Sequence, residues 1–166
     1  MSRSRPTGYS RLGDAAAVAL ARPDVLISTD VAASLTANLA ATYYGFWNNG
    51  STALFHATVS PGYLDHTLSA GRRQGRSGLA NAGATFFAAF PDGRVKVLQQ
   101  MLVGDPIVSH LRVTGTFAGR RYDVDGAGEV IDYLATDIMR VANGSIVENW
   151  HVEDHKTLHR QLAVSA

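Results

Sequence analysis

The dipeptide Asn143-Gly144 separates two runs in which apolar and polar residues alternate. Asn-Gly is the strongest short-range signal for a tight β-hairpin, so the sequence predicts two antiparallel strands here. If the turn has two residues, Ala142 pairs with Ser145, and counting outward along both strands pairs Asp137 with Trp150. One face of the hairpin then carries a carboxylate among apolar and aromatic side chains. A β-bulge would shift this pairing by one residue.

The hydrophobic period of the chain changes near residue 93. Before this point, apolar residues recur every third or fourth position in three stretches, which predicts helices. Ser28, Thr29 and Asp30 are candidate N-caps for the first helix, and the second is predicted to start at Ser51. Residues 60–78 are predicted to form a loop because they contain Pro61 and four glycines. After this point the period is two, and the predicted strands cover residues 94–103, 107–117, 130–141 and 145–153. Helices followed by antiparallel strands predict the α+β class, with helices packed on one face of a curved sheet.

Composition excludes several classes of protein. A chain of 166 residues is long enough for one domain with a sizeable core. Its formal net charge of +1 gives no reason to expect a nucleic-acid or anionic-membrane partner. The absence of cysteine excludes disulfides, thiolate catalysis and thiolate metal sites. No apolar run approaches the ~20 residues that a membrane-spanning helix needs.

Residues 1–28 are predicted to be a flexible N-terminal extension, and residues 29–166 to be the α+β domain. Arginines at the start precede an alanine-rich stretch that ends in the Ala-x-Ala pattern of a signal-peptide cleavage site. The stretch is short, however, and Asp14 directly precedes it. These features favour a cytoplasmic protein with an N-terminal extension over an exported one.

Six short motifs follow one another between residues 31 and 162. They are Tyr44-Gly-Phe-Trp-Asn-Asn-Gly50, Tyr63-Leu-Asp-His66, Phe90-Pro-Asp92, Val113-Thr-Gly-Thr116, Asp137-Ile-Met-Arg140 and Gly144-Ser-Ile-Val-Glu-Asn-Trp150. Their order resembles the SnoaL-like polyketide cyclases, which belong to the nuclear-transport-factor-2-like superfamily of cone-shaped α+β barrels. The resemblance implies an apolar pocket under helices and inside a bent sheet, with no metal and no organic cofactor. It also implies a hydrophobic small-molecule substrate and, by analogy, a homodimer.

The same resemblance implies a role for Asp137. In the cyclases, an aspartate on this late strand is the general acid/base of an intramolecular aldol ring closure, and Asp137 matches it in an Asp-x-x-Arg-(x)₃-Gly pattern. Burial on an apolar face would raise the pKa of the Asp137 carboxyl, so that it could move protons near neutral pH. Two alternatives remain: the face is solvated at its edge, or Asp137 accepts hydrogen bonds from tyrosine, tryptophan or backbone donors.

Two histidines are further catalytic candidates. His66 matches the Asp-His of the family, where it would hydrogen-bond a substrate carbonyl, although it could instead tie down a neighbouring backbone group. His110 is a candidate second proton shuttle, but its place in the strand favours an edge or solvent-facing position. Glu148 shares the predicted face of Asp137, either as its partner or as a carboxylate that reaches water. The candidate substrate-binding residues are Tyr44, Trp47, Tyr63, Tyr133, Met139, Glu148 and Trp150.

Two other patterns are weak signals for binding sites. His151, His155 and His159 recur every four residues, which on one helix would form a metal-binding face. No metal site is predicted, because His151 falls on a strand and the glutamate of a zinc-protease motif does not directly follow it. The basic run at residues 71–77 could hold a phosphate but lacks the Walker spacing, so a solvated loop or a mobile lid is favoured.

The sequence therefore predicts a cofactor-independent cyclase or isomerase acting on a hydrophobic, polyketide-like carbonyl compound. In this mechanism Asp137 removes a proton next to a carbonyl group, and tyrosine or histidine donors stabilise the enolate. One alternative is an epoxide hydrolase or dehydratase of the same superfamily. Another is a non-catalytic module for small-molecule binding or dimerisation.

Overall fold

The computed structural model of the chain describes residues 20–28 and 33–162. Their elements are, in chain order, β1 (Val25–Ser28), α1 (Ala33–Asn49), α2 (Thr52–Thr58), β2 (Val59–Asp65), α3 (Gly75–Ala89), β3 (Arg94–Leu102), β4 (Pro106–Phe117), β5 (Arg120–Arg121), β6 (Val124–Asp125), β7 (Glu129–Ala142), β8 (Ser145–Glu153) and α4 (His155–Gln161). Three of the helices precede the long strands, which confirms the predicted α+β class. Predictions for residues 1–19 lie outside the described residues.

Six strands form one curved sheet in the order β1-β3-β4-β7-β8-β2. The four central strands pair antiparallel, and the edge strands β1 and β2 pair parallel with β3 and β8. The sheet is mostly antiparallel and ends at β1 and β2 without closing into a barrel. Strands β5 and β6 form a separate hairpin.

Both edge strands contradict the sequence predictions. Val25–Ser28 falls in the predicted flexible extension, yet it pairs with β3. All four of its residues are exposed, so the alternating burial that identifies a strand is missing. Residues 60–65 fall in the predicted loop, yet they belong to β2, which pairs with β8 around a register shift. Pro61 and Gly62 lie at this irregularity, and both residue types weaken the sequence signal of a strand.

Helices α1, α2 and α3 share one hydrophobic core with the inward face of the sheet. Phe46 of α1 packs against Phe55 of α2, with ring centroids 5.1 Å apart, and Trp47 packs edge-on against Phe86 of α3 at 5.8 Å. The second helix starts next to Ser51 as predicted, and Ser51 is its N-cap, since its Oγ accepts a hydrogen bond from the backbone of Leu54. Among the described helices, none combines the length and apolar character needed to cross a membrane.

The turn at Asn143-Gly144 forms as predicted. Both residues adopt the left-handed conformation, with φ angles of 51° and 71°, which suits a tight hairpin. Ala142 pairs with Ser145, but a β-bulge follows, after which Arg140 pairs with Glu148. The strand β8 thus contains one residue more than the prediction allows between the turn and Glu148.

This bulge changes which side chains of β8 enter the interior. Asp137 pairs with His151, so the predicted pairing of Asp137 with Trp150 is wrong by one residue. Because successive side chains of a strand point to opposite faces, the shift turns Trp150 outward and His151 inward. Asp137 itself is buried, with 3% of its surface exposed.

The β5–β6 hairpin is attached to the end of α3 at Gly119. The backbone N–H groups of Ala118 and Gly119 both donate to the carbonyl oxygen of Ala89 over 3.1 Å. A Cβ atom at Gly119 would lie 1.9 Å from the carbonyl oxygen of Ala88, which is too close for any side chain. Gly119 therefore allows the close approach that places the hairpin against α3.

We expect Gly119→Ala to lower the free energy of unfolding by about 1–3 kcal/mol, because backbone atoms must move to relieve the clash. Urea denaturation of the wild type and the variant measures this loss. Gly62→Ala is the matched control, since its Cβ would meet only Ser60 Oγ at 3.9 Å, and its effect should stay within about 0.5 kcal/mol. Equal stability of all three proteins would contradict this account of the hairpin.

Candidate functional site

A cavity of about 580 Å³ lies between the helices and the inward face of the sheet. Its apolar and aromatic walls include Tyr43, Tyr44, Trp47, Leu79, Phe86, Val95, Leu111, Val113, Tyr133 and Ala135. Strands β7 and β8 and the start of α4 contribute polar residues, which are Asp137, Asn149, His151, Glu153 and His155. A cavity with an apolar and aromatic wall and converging polar groups is a usual form of a small-molecule site.

Three donors hold the buried carboxylate of Asp137. Tyr44 donates its hydroxyl proton to Oδ2 over 2.9 Å. The Oδ1 atom accepts from Asn149 Nδ2 at 3.0 Å and from His151 Nδ1 at 2.7 Å. The two oxygens therefore differ, because Oδ1 has two protein donors and Oδ2 has one.

A chain of buried hydrogen bonds supports the Tyr44 donor. Gln100 Nε2 donates to Ser109 Oγ over 2.9 Å, and Ser109 in turn hydrogen-bonds to Tyr44. Gln100 and Ser109 are both buried. A phenol that accepts a hydrogen bond from Ser109 directs its own proton away from Ser109. This chain of hydrogen bonds therefore orients the Tyr44 proton towards Asp137.

His151 lies between two carboxylates. Its Nδ1 atom contacts Asp137 Oδ1, and its Nε2 atom lies 3.2 Å from Glu153 Oε1. Tyr133 Oη donates to the same Glu153 oxygen over 3.4 Å. The other Glu153 oxygen lies 3.5 Å from Nε2 of His155, whose side chain is half-exposed at the cavity wall. Ionisable groups thus form a continuous chain from the buried Asp137 to the surface.

These contacts make Asp137 and His151 an ion pair at neutral pH. Burial lowers the pKa of the His151 imidazole, but the charges and hydrogen bonds of Asp137 and Glu153 outweigh burial and raise it to about 10. Burial raises the pKa of Glu153, but its hydrogen bond to His151 and the nearby positive charges lower it to about 2. His151 is therefore an imidazolium with two carboxylate neighbours.

The predicted direction of the Asp137 pKa shift is wrong. Burial alone does raise the pKa of the carboxyl, as the sequence analysis assumes. The charge of His151 and the hydrogen bonds from His151, Asn149 and Tyr44 outweigh burial and lower this pKa below its ordinary value. The sequence prediction omitted His151 because the predicted register placed its side chain on the other face.

The tyrosines around the cavity remain neutral. Burial and the negative charge of Asp137 raise the pKa of Tyr43 and of Tyr44 well above the ordinary value. Burial and Glu153 do the same for the pKa of Tyr133. Each of these phenols is a hydrogen-bond donor throughout the physiological pH range. Tyr43 also has the indole of Trp47 as a hydrogen-bond partner.

Four of the residues predicted for the site line the cavity, and these are Tyr44, Trp47, Tyr133 and Asp137. Three others form a cluster outside it. His66 stacks on Trp150 with ring centroids 4.2 Å apart, and its Nε2 lies 2.8 Å from Glu148, which also pairs with Arg140. The predicted positions of Glu148 and Trp150 in the site are wrong, because the β-bulge turns both outward. His66 faces the same surface and does not line the cavity.

The remaining predicted residues also lie off the cavity wall. Met139 and Tyr63 are buried in the core, with 0% and 3% of their surfaces exposed. His110 is half-buried on β4, and its neighbours Ser109 and Leu111 face inward, so it points to the opposite face. These residues contribute to the fold around the site and do not line it.

Sequence reasoning missed His151, Asn149 and Glu153. These residues show period two along β8, but so do Glu148, Trp150 and Val152 one position away. Only the position of the bulge decides which set faces inward, and a bulge has no reliable sequence signal. Within residues 20–28 and 33–162, no group of three or more histidine, aspartate or glutamate side chains is arranged to hold a metal ion.

Comparison with known proteins places this geometry among related folds. The family model of the SnoaL-like polyketide cyclases matches residues 37–162. A Bacillus cereus ATCC 10987 protein assigned as a polyketide cyclase is 32% identical, with a TM-score of 0.78 over 89% of this chain and 95% of that one.

Two more distant structures share the fold. TsrD from Streptomyces laurentii is 18% identical, with a TM-score of 0.75 over 82% of this chain and 100% of that one. A SnoaL-like polyketide cyclase from Agrobacterium tumefaciens str. C58 is 20% identical, with a TM-score of 0.64 over 77% of this chain and 97% of that one. No curated protein matches the chain.

We expect the His151 ion pair to make stability depend on pH in the alkaline range. A raised pKa stabilises the fold fully below the unfolded value of 6.5, and this contribution is lost as the pH rises through about 10. The stability difference between wild type and His151→Gln should therefore shrink between pH 7 and pH 10, as measured by urea denaturation. His56→Gln, on the exposed surface of α2, controls for the loss of a histidine. A difference that grows with pH would contradict the ion pair.

Proposed function

Because the chain belongs to the SnoaL-like polyketide cyclase family, we propose that it is a cofactor-independent cyclase or isomerase that acts on a hydrophobic, polyketide-like carbonyl compound. The observation that carries this proposal is the buried Asp137 carboxylate in an aromatic-lined cavity. Flat ring systems stack well on aromatic walls, and the cavity volume suits a ligand of several rings. Asp137 is the proposed base, and His151 is its proposed partner.

The proposed reaction is an intramolecular aldol ring closure. Asp137 Oδ2 takes a proton from a methylene carbon between two carbonyl groups, and the resulting carbanion attacks a second carbonyl carbon of the same molecule. The new alkoxide oxygen takes the proton back from Asp137, so the carboxylate is restored and no atom is gained or lost. Oδ2 is the proposed base atom because Oδ1 already has two protein donors.

The low pKa of Asp137 limits the substrate to acidic carbon compounds. A strongly hydrogen-bonded carboxylate is a weak base, so it can deprotonate a methylene between two carbonyls more readily than one next to a single carbonyl. The enolate then needs donors, and Tyr43 is the proposed one, because the Tyr44 proton already binds Asp137. The imidazolium of His151 adds positive charge beside the developing enolate.

Two rival reactions, epoxide hydrolysis and dehydration, find less support in the contacts of these residues. An epoxide hydrolase of this superfamily would need a second aspartate and an arginine around a water molecule. Asp132 instead pairs with Arg112, and Arg140 pairs with Glu148, and none of these four residues lines the cavity. A dehydratase would need a proton donor for the leaving hydroxyl group, and His151 does not supply one, because both of its ring nitrogens are bound to carboxylates.

We also propose a homodimer formed through the outer face of the sheet. Met101, Val108, Ile138 and Trp150 are paired in one row across β3, β4, β7 and β8. Three of these apolar residues are exposed, namely Met101, Ile138 and Trp150. An exposed apolar row of this kind is typical of a protein-protein contact.

We expect Asp137→Asn to abolish turnover and to retain ligand binding, because asparagine keeps one acceptor for His151 but cannot remove a proton. The loss should be roughly 100- to 10,000-fold in kcat. Chromatography at unchanged mass can follow ring closure of a polycyclic aromatic β-keto ester that carries a pendant aldehyde, tested with and without a free carboxyl group on the ring system. Asp132→Asn, at an exposed carboxylate of the same strand, is the matched control. Unchanged kcat in Asp137→Asn would overturn the proposal, and no turnover by the wild type would favour a binding module.

We expect Ile138→Glu to give a monomer, because it places a charge in the middle of the exposed apolar row. Sedimentation velocity measures the change in mass. Val130→Glu, at an exposed position of β7 outside the row, is the control and should leave the dimer intact. A monomeric wild type at micromolar concentration would refute the proposed dimer.

A further inference from the structure

Two arginines line the cavity without an acidic partner. Arg72 comes from the loop between β2 and α3, and Arg121 comes from β5. In the described part of the chain, neither lies within ion-pair distance of a carboxylate, although the charge of Arg121 contributes to the low pKa of Glu153. The Nε atom of each arginine is buried without a hydrogen-bond acceptor. Arg121 donates one hydrogen bond, to Tyr122 Oη at 3.2 Å. By contrast, Arg120 on the same wall pairs with Asp125 at 2.9 Å.

An arginine in this state has unused binding capacity. A guanidinium is always charged and has five N–H donors, and removing such donors from water without acceptors costs free energy. Arg121 is also held in place, because it lies over the rings of Phe90 and Tyr122 at 5.7 Å and 4.9 Å. Stacking fixes the plane of the guanidinium and leaves N–H groups at its edge for a ligand.

The carboxylates of the cavity are occupied elsewhere. Asp137 and Glu153 are bound to His151. Asp65 accepts from the backbone and the hydroxyl of Thr67, at 2.9 Å and 3.2 Å. In the described part of the chain, no carboxylate of the cavity forms an ion pair with Arg72 or Arg121.

We propose that the ligand of this cavity carries a carboxylate, which Arg72 and Arg121 bind while the reacting carbonyl lies at Asp137. Only the position of the reacting carbonyl at Asp137 rests on the proposed function. A planar carboxylate suits the fork of N–H groups on a guanidinium. The substrate class is thus a polycyclic carbonyl acid, and not its neutral ester.

Calorimetric titration with model ligands tests this assignment. Anthraquinone-2-carboxylate and its methyl ester have the same ring system and differ in charge, and anthraquinone-2-sulfonate supplies a tetrahedral oxyanion. At pH 7.5 we expect the carboxylate to bind at least about 10-fold more tightly than the ester. Arg72→Met and Arg121→Met should each remove most of this preference and leave the affinity for the ester within about twofold. Retained ester affinity also shows that the variants are folded.

The control is Arg73→Met, which removes an exposed neighbouring arginine that does not line the cavity and should keep the preference. Equal affinity for acid and ester in the wild type would overturn the inference, as would an unchanged preference in both cavity variants. Tighter binding of the sulfonate than of the carboxylate would reject a carboxylate as the bound group. Asp137→Asn should keep the preference for the carboxylate over the ester. The arginine site and the catalytic role of Asp137 can therefore be disproved separately.

Discussion

The contact between Asp137 and His151 is the interaction on which the rest of the site depends. Burying one carboxylate inside an aromatic cavity is unfavourable, and its pairing with an imidazolium at 2.7 Å offsets this cost when further hydrogen bonds support both groups. Tyr44 and Asn149 provide partners for Asp137, and Glu153 provides one for His151. The surrounding helix and strand residues are therefore selected as much by polar satisfaction as by hydrophobic packing.

The β-bulge beside the hairpin turn connects local backbone structure to this chemistry. Without it, the alternation of β8 would send Glu148 and Trp150 inward and His151 outward. With it, a histidine reaches the buried aspartate, and the indole stacks on His66 at the surface. One additional residue in β8 thus places His151 opposite Asp137 in place of Trp150. Bulges commonly redirect a side chain next to a functional site in this way.

The sequence predicted the architecture better than the site. Regular elements with strong periods could be predicted, among them the central strands, the start of the second helix at Ser51 and the Asn143-Gly144 turn. The edge strands β1 and β2 could not be predicted, because an exposed strand and a strand with Pro-Gly lack the alternation of apolar and polar residues. Asp137, Tyr44 and Trp47 could be identified from motifs, and Tyr133 from the alternation of its strand. The partners of Asp137 could not be identified from the sequence, since they depend on a register shift and on contacts between residues distant in sequence.

The unequal hydrogen bonding of the two Asp137 oxygens has a stereochemical consequence. An attacking lone pair that is available on one oxygen alone approaches the substrate from a single direction. In the proposed reaction, a flat ring system between the aromatic walls of the cavity would keep one side towards Asp137. Such an arrangement distinguishes the pro-R from the pro-S hydrogen of a methylene group, and it would impose one handedness on a new asymmetric carbon. The geometry of a single carboxylate would in this way select one enantiomer of the product.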